Sequence, residues 1–255
     1  LRHGVPAEAL EGRGEAAFLS PSLLGGPQDH RRGVDQEVEE LEAEHGRRHR
    51  RKLAWRTPLR MTAVQPDRLL DDGDVVERCG VTLQTIVCPG HTPANTVYWH
   101  EPSGTLFSGD HILSRVTPNP GIHFPDGASR MRSLPAYVRS LQRVRSLPAR
   151  EVLPGHGEEM SDLPGAIERL LAHHEHRAGR IEAMLLERPH TAYEVMLRIF
   201  PRVGPERLRQ AMAEIVGHLD LLVEQGVAVE LDDGGVVHYR GHSRRPIADL
   251  RGTAT

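Results

Sequence analysis

From about residue 68 onward the hydrophobic positions recur with two different periods. In "RLLDDGDVVERCGVTLQTIVCPGH" short runs rich in Val, Ile and Thr sit between turn residues, which predicts a turn, a strand, a tight Cys-Gly turn and a second strand. "NTVYWHEPSGTLFSGDH" repeats that grammar, with two strands joined by "EPSG". The period then lengthens. Leu134, Tyr137, Val138, Leu141 and Val144 fall at three- and four-residue steps in "SLPAYVRSLQRVRSL", the spacing of an amphipathic helix. "EVLPGHGEEM" returns to a short apolar strand that ends in a turn carrying a histidine. Strand, loop with histidine or aspartate, then helix is the order of an α/β layered domain whose loops at one sheet edge carry function.

After residue 161 the helical period dominates. "LPGAIERLLAHHEHRAGRIEAMLLE" predicts a long amphipathic helix stopped by Arg-Pro, and "TAYEVMLRIF" a short one opened by Thr191 with Glu194 at capping-box spacing. "PERLRQAMAEIVGHLDLLVEQG" predicts a third helix ended by Gly226, and "VAVELDDGGVVHYRG" a hairpin with Asp-Asp-Gly-Gly at its turn. Three helices followed by a β-ribbon are expected to form a winged helix. Residues 1–60 follow neither period: "DQEVEELEAEHGRRHRRK" suggests one helix near 34–45, and β-branched alternation is nearly missing. The expected organisation is an aberrant, partly disordered segment over 1–60, an α/β domain over 61–174, a winged-helix domain over 175–243 and a tail over 244–255.

Composition narrows the compartment. The 255 residues are 38% hydrophobic and 26% charged with net charge −3, which suits a soluble protein and disfavours a surface built for nucleic acid. No apolar run reaches membrane-spanning length and no signal-peptide core is evident, so a cytoplasmic location without membrane association is expected. Two cysteines, Cys79 and Cys88, form neither a disulfide framework nor a CxxC zinc motif. The run "RRHRRK" beside an acidic stretch reads as a solvated face, so nucleic-acid contact is possible without being favoured. Leu1 at the start suggests a fragment or a processed product. An apolar helix face serves a core or an interface equally, so the oligomeric state stays open.

The chemistry concentrates at the strand ends. His91, Asp110 and His156 each follow a predicted strand and are flanked by Gly or Pro, which let the backbone turn and lift the side chain over the sheet edge. Singly, each is an ordinary turn or cap residue. Together, imidazole and carboxylate converging from separate loops suit a two-metal site with one bridging group.

"PGHT", "FSGDH" and "LPGHGE" in this order resemble the metallo-β-lactamase superfamily, particularly its glyoxalase II-like hydrolases and the β-lactamase-like protein 2 branch with a C-terminal winged helix. "LDDGDVV", "TPNPGIH" and "HHEHRAGRIEAML" extend the likeness over about residues 66–242. The resemblance implies an α/β fold, an αββα sandwich incomplete at its N-terminal end, joined to a winged helix. It further implies two Zn2+ per site, with His91 on the first ion, Asp110 bridging and His156 on the second. A metal-bound hydroxide would attack a thioester, ester or phosphodiester, so the expected partner is a small-molecule ester or thioester. His173, His174 and His176 cluster on one predicted helix and are expected at its surface, with His173 and His176 sharing a face; His176, on the helix that related hydrolases place near the active-site mouth, is a candidate substrate contact.

The chain departs from the family at its HxHxDH motif, which occurs nowhere. In "GGPQDHRRG", Asp29 and His30 fall on the motif's Asp-His pair, giving a catalytic aspartate and a metal ligand, while Gly25 and Pro27 stand where the two histidines belong. One zinc ion or none is therefore expected here. Either the chain is an impaired homologue acting as a binding or regulatory module, or residues 1 to about 60 are a misread or truncated N-terminal half; the strand-poor composition favours the second. An RNA-processing nuclease on the same site is the remaining alternative.

Overall fold

The computed structural model describes residues 66–242 and Leu250. Five strands, β1 (Val75–Arg78), β2 (Val81–Val87), β3 (Thr96–His100), β4 (Thr105–Gly109) and β5 (Glu151–Pro154), form one sheet in chain order. The first four make an antiparallel meander. The β1–β2 turn is two residues long, with Cys79 and Gly80 both at positive φ (53° and 76°), the backbone twist a tight hairpin requires.

β5 pairs parallel to β4, which demands a crossover, and helix α1 (Ser133–Val144) supplies it. The helix buries the stripe its spacing predicts: Leu134, Tyr137, Val138, Leu141 and Val144 pack against Val97, Trp99, Leu106 and Val152 of the sheet. The ladder register shifts between Phe107 and Gly109, immediately before Asp110.

Helix α2 (Leu163–Glu187) starts where the Asp162 carboxylate accepts from the Gly165 N–H at 2.9 Å, with Pro164 in its first turn. Its first half gives Leu163, Ile167, Leu170 and Leu171 to the sheet's core, and its second half gives Ala178, Ile181, Met184 and Leu185 to another. Each large aliphatic side chain so buried contributes about 1.5–3 kcal/mol. The second core is completed by α3 (Ala192–Ile199), α4 (Leu208–Glu224) and a three-stranded sheet of order β6-β8-β7, made of β6 (His190–Thr191), β7 (Ala228–Asp233) and β8 (Val236–Gly241). Thr191 and Glu194 close the expected capping box on α3.

The border expected between residues 174 and 175 thus falls inside one continuous helix. Every residue of α4 from Ala211 to Leu222 is buried, so this helix is enclosed on all sides. Among the described residues no helix is long and apolar enough to cross a membrane.

Candidate metal centre

Three loops at one end of the five-stranded sheet bring His91, Asp110 and His156 together. The His91 loop leaves β2 through Cys88, Pro89 and Gly90, and Ser140 of α1 donates its hydroxyl to the Pro89 carbonyl at 2.8 Å. Gly90 adopts φ 148°, and a Cβ there would lie 2.4 Å from Cβ of Tyr137, so only glycine lets the loop rest on α1. Asp110 and His156 come from the parallel neighbours β4 and β5, where Gly109 pairs with Pro154 and the Gly155 N–H donates to the Gly109 carbonyl at 2.8 Å. A Cβ on Gly155 would sit 2.7 Å from Asp110 Oδ1.

The resulting distances are informative. Asp110 Oδ2 lies 3.6 Å from His91 Nε2, and Asp110 Oδ1 lies 3.4 Å from His156 Nε2. Both exceed hydrogen-bonding distance. Two ligand atoms on one tetrahedral zinc are about 3.4 Å apart, given metal–ligand bonds near 2.0–2.1 Å. The carboxylate therefore offers a different oxygen to each imidazole across a gap of zinc size, and the described residues supply one imidazole and a shared carboxylate on each side.

His91 is held in the tautomer such a role needs. Its Nδ1 lies 3.0 Å from the Asn119 carbonyl, which can only accept, so in the neutral ring Nδ1 carries the proton and Nε2 the lone pair. Asn119 sits between Pro118 and Pro120, and its Nδ2 donates to the Gln210 carbonyl of α4 at 2.9 Å. His123 Nε2 donates to the His91 carbonyl at 2.9 Å, and burial lowers the His123 pKa below the ordinary histidine range. His111, next to Asp110, is fully buried; burial lowers its pKa to about 3, so this imidazole is neutral.

A cleft opens beside the exposed His156, lined by Leu113, Ser114, Arg115, Val116, Gly157 and Glu158. Arg115 donates to Glu158 across it at 2.5 Å.

Of the residues expected from sequence, His91, Asp110 and His156 converge as described. Asp29 and His30 lie outside the described residues. His176 is exposed on α2 and is not among the residues lining the cleft. The helical histidines were expected at the surface, with His173 and His176 on one face; His174 is instead fully buried. The signal was present, since His174 continues the stripe Ile167, Leu170, Leu171, Ala178, Ile181. Asn119 and His123 were not singled out, although both lie in or beside the quoted "TPNPGIH".

The sequence profile of the metallo-beta-lactamase superfamily matches residues 22–156, a span that takes in Asp29 and His30. The chain is 34% identical over 157 residues to the probable metallo-hydrolase YqjP of Bacillus subtilis (strain 168), covering 61% of this chain and 49% of that protein. It is 29% identical over 150 residues to the beta-lactamase-like protein 2 homolog of Drosophila melanogaster, covering 58% and 47% respectively. The chain spans about half the length of these curated relatives. Among solved structures, a metallo-beta-lactamase family protein of Thermus thermophilus superposes with TM-score 0.58 at 33% identity, covering 68% of this chain and 54% of that one. A beta-lactamase domain protein of Burkholderia ambifaria gives TM-score 0.62 at 29% identity, covering 69% and 52%.

Proposed function

The chain belongs to the metallo-beta-lactamase superfamily, and from that premise we propose that it is a zinc-dependent hydrolase acting on an ester, thioester or phosphodiester. The observation that carries this reading is the Asp110 carboxylate set between His91 Nε2 at 3.6 Å and His156 Nε2 at 3.4 Å. His91 and Asp110 would hold one ion, and Asp110 and His156, with Asp29 and His30, the other. Zinc bound there supplies Lewis acidity toward a carbonyl or phosphoryl oxygen and makes water nucleophilic at neutral pH. The chain's own residues do the positioning. The Asn119 carbonyl orients the His91 ring, Gly155 leaves room for the Asp110 carboxylate, and the cleft beside His156 receives the substrate, with Leu113 and Val116 for apolar groups.

We read the C-terminal unit as a winged helix used for packing. Its third helix, α4, is buried from Ala211 to Leu222 and has no free face for a nucleic-acid groove, which favours a small ester or thioester over RNA. A second reading, a family member that binds without hydrolysing, is favoured by the missing HxHxDH, which leaves His91 the one imidazole assigned to its half-site.

The test is zinc per chain, followed by hydrolysis of thioester and RNA substrates. The proposal expects bound zinc that drops in a His91→Ala, His156→Ala variant, together with thioester hydrolysis. The same loss of zinc without turnover supports the binding reading, and zinc unaffected by the double substitution overturns both.

A further inference from the structure

A second group of metal-ligand residues, none of them in the His91, Asp110 and His156 set, lies where the two cores meet. Helix α2 brings His173 and His174 against Glu214 and His218 of α4. His174, His218 and Glu214 are buried, whereas His173 is partly exposed.

The protons in this cluster can be placed. His218 Nδ1 lies 2.6 Å from the Glu214 backbone carbonyl, which only accepts, so Nδ1 donates. In the neutral ring its other nitrogen, Nε2, is then an acceptor. His174 Nδ1 is 3.2 Å from that Nε2 and must supply the proton between them. The His174 Nε2 is therefore a bare lone pair, buried and without a hydrogen-bond partner. An orphaned acceptor of this kind has lost its hydration for nothing in return, unless a ligand supplies the missing partner.

The surroundings point to that ligand. One ligand atom from each of His173, His174 and Glu214 lies within 4.8 Å of the other two, and among the described residues this is the one group of three His, Cys, Asp or Glu side chains so gathered. We propose that His173, His174 and Glu214 form a second, structural site for a divalent transition metal, zinc by ligand chemistry, which staples α2 to α4 at the junction of the two cores.

Two imidazoles and one carboxylate are a zinc donor set with the fourth position left to water. The His174–His218–Glu214 carbonyl chain is the outer hydrogen-bonding that orients a ligating imidazole. His173, partly exposed, provides the route of entry. Arg177 now donates to Glu214 Oε1 at 2.7 Å while its guanidinium lies over the Phe200 ring at 5.0 Å. An incoming dication takes over the neutralisation of Glu214, and Arg177 keeps its place on the ring.

The experiment separates this site from the Asp110 centre. Full-length His91→Ala, Asp110→Asn, His156→Ala protein is loaded with zinc, freed of loose metal and analysed for zinc per chain, with thermal unfolding recorded with and without zinc. The expected result is about one equivalent retained and a Tm raised by zinc. Adding His173→Ala, at a partly exposed position that leaves both cores intact, removes both effects. In the otherwise wild-type chain the same substitution lowers zinc by about one equivalent. A triple variant that keeps no zinc, or zinc that persists undiminished with His173→Ala, overturns the proposal. A wild-type chain that binds only the equivalent lost with His173→Ala would count against the Asp110 centre instead.

Discussion

At the scale of single residues, the centre depends as much on an absent side chain as on those present. Gly155 has an ordinary backbone conformation, so alanine is tolerated by the chain itself, but its Cβ would sit 2.7 Å from Asp110 Oδ1. The carboxylate must then rotate or shift, and with it the oxygen aimed at His156. Gly155→Ala is expected to weaken zinc binding at least about tenfold with little change in Tm, as checked by competition against a chromophoric chelator. Titration of the buried histidines gives a second prediction at this scale. His111 and His218, held neutral by burial with pKa values near 3 and 4, gain protons on unfolding as soon as the pH falls below the ordinary histidine value. The unfolded state then binds more protons, so stability falls as pH falls. Glu214 acts in the same direction: burial raises its pKa, but His173, His218, His174 and Arg177 outweigh that and hold it at about 2. Metal-free protein should lose Tm progressively from about pH 6.5 toward pH 4, and a Tm that is flat across this window would contradict the assigned neutral states.

At the scale of elements, local pattern and distant contact contribute differently. The β1–β2 hairpin was legible because Cys79-Gly80 can take the two positive φ values its turn needs, and α1 because Leu134, Tyr137, Val138, Leu141 and Val144 make one stripe. His91, Asp110 and His156 were legible for a related reason: Gly and Pro mark where each strand must stop, and a metal-ligand residue type follows each stop. The same reasoning failed where a pairing is nonlocal. Nothing adjacent to Asn119 in sequence shows that its side chain reaches Gln210, or that its carbonyl orients His91. His174 was missed for a different reason, because a polar residue on an apolar stripe was read by its type and not by its position. The Asn119 contact also carries a prediction about elements. Asn119→Ala keeps the carbonyl that accepts from His91 but removes the side-chain contact that ties residue 119 to α4. Zinc affinity should drop by about tenfold through loosened positioning of His91, while the His156 half-site, held by β5, is spared. Isothermal titration of the Asn119→Ala and parent proteins with zinc would measure the loss, and an unchanged affinity would show that Asn119 does not position His91.

At the scale of the whole molecule, α2 belongs to both cores, so neither unit can unfold without exposing apolar surface of the other. One further link crosses the same boundary. Arg130, on the loop after Asp110, donates both guanidinium nitrogens to Asp220 of α4 at 2.5 and 2.7 Å, and the Asp220 side chain is only 1% exposed. A buried ion pair is not by itself a large stabiliser, because desolvation offsets much of the attraction. Breaking it on one side is costly all the same, since a bare carboxylate remains in the interior. Arg130→Met is therefore expected to destabilise by about 3–5 kcal/mol, and Arg130→Met with Asp220→Leu to recover most of that loss. Denaturant titration followed by circular dichroism would measure both. Each variant should still unfold in a single transition, because the shared helix, and not the ion pair, makes the two cores one cooperative unit. Two separated transitions in the single variant would assign that coupling to Arg130 and Asp220 instead.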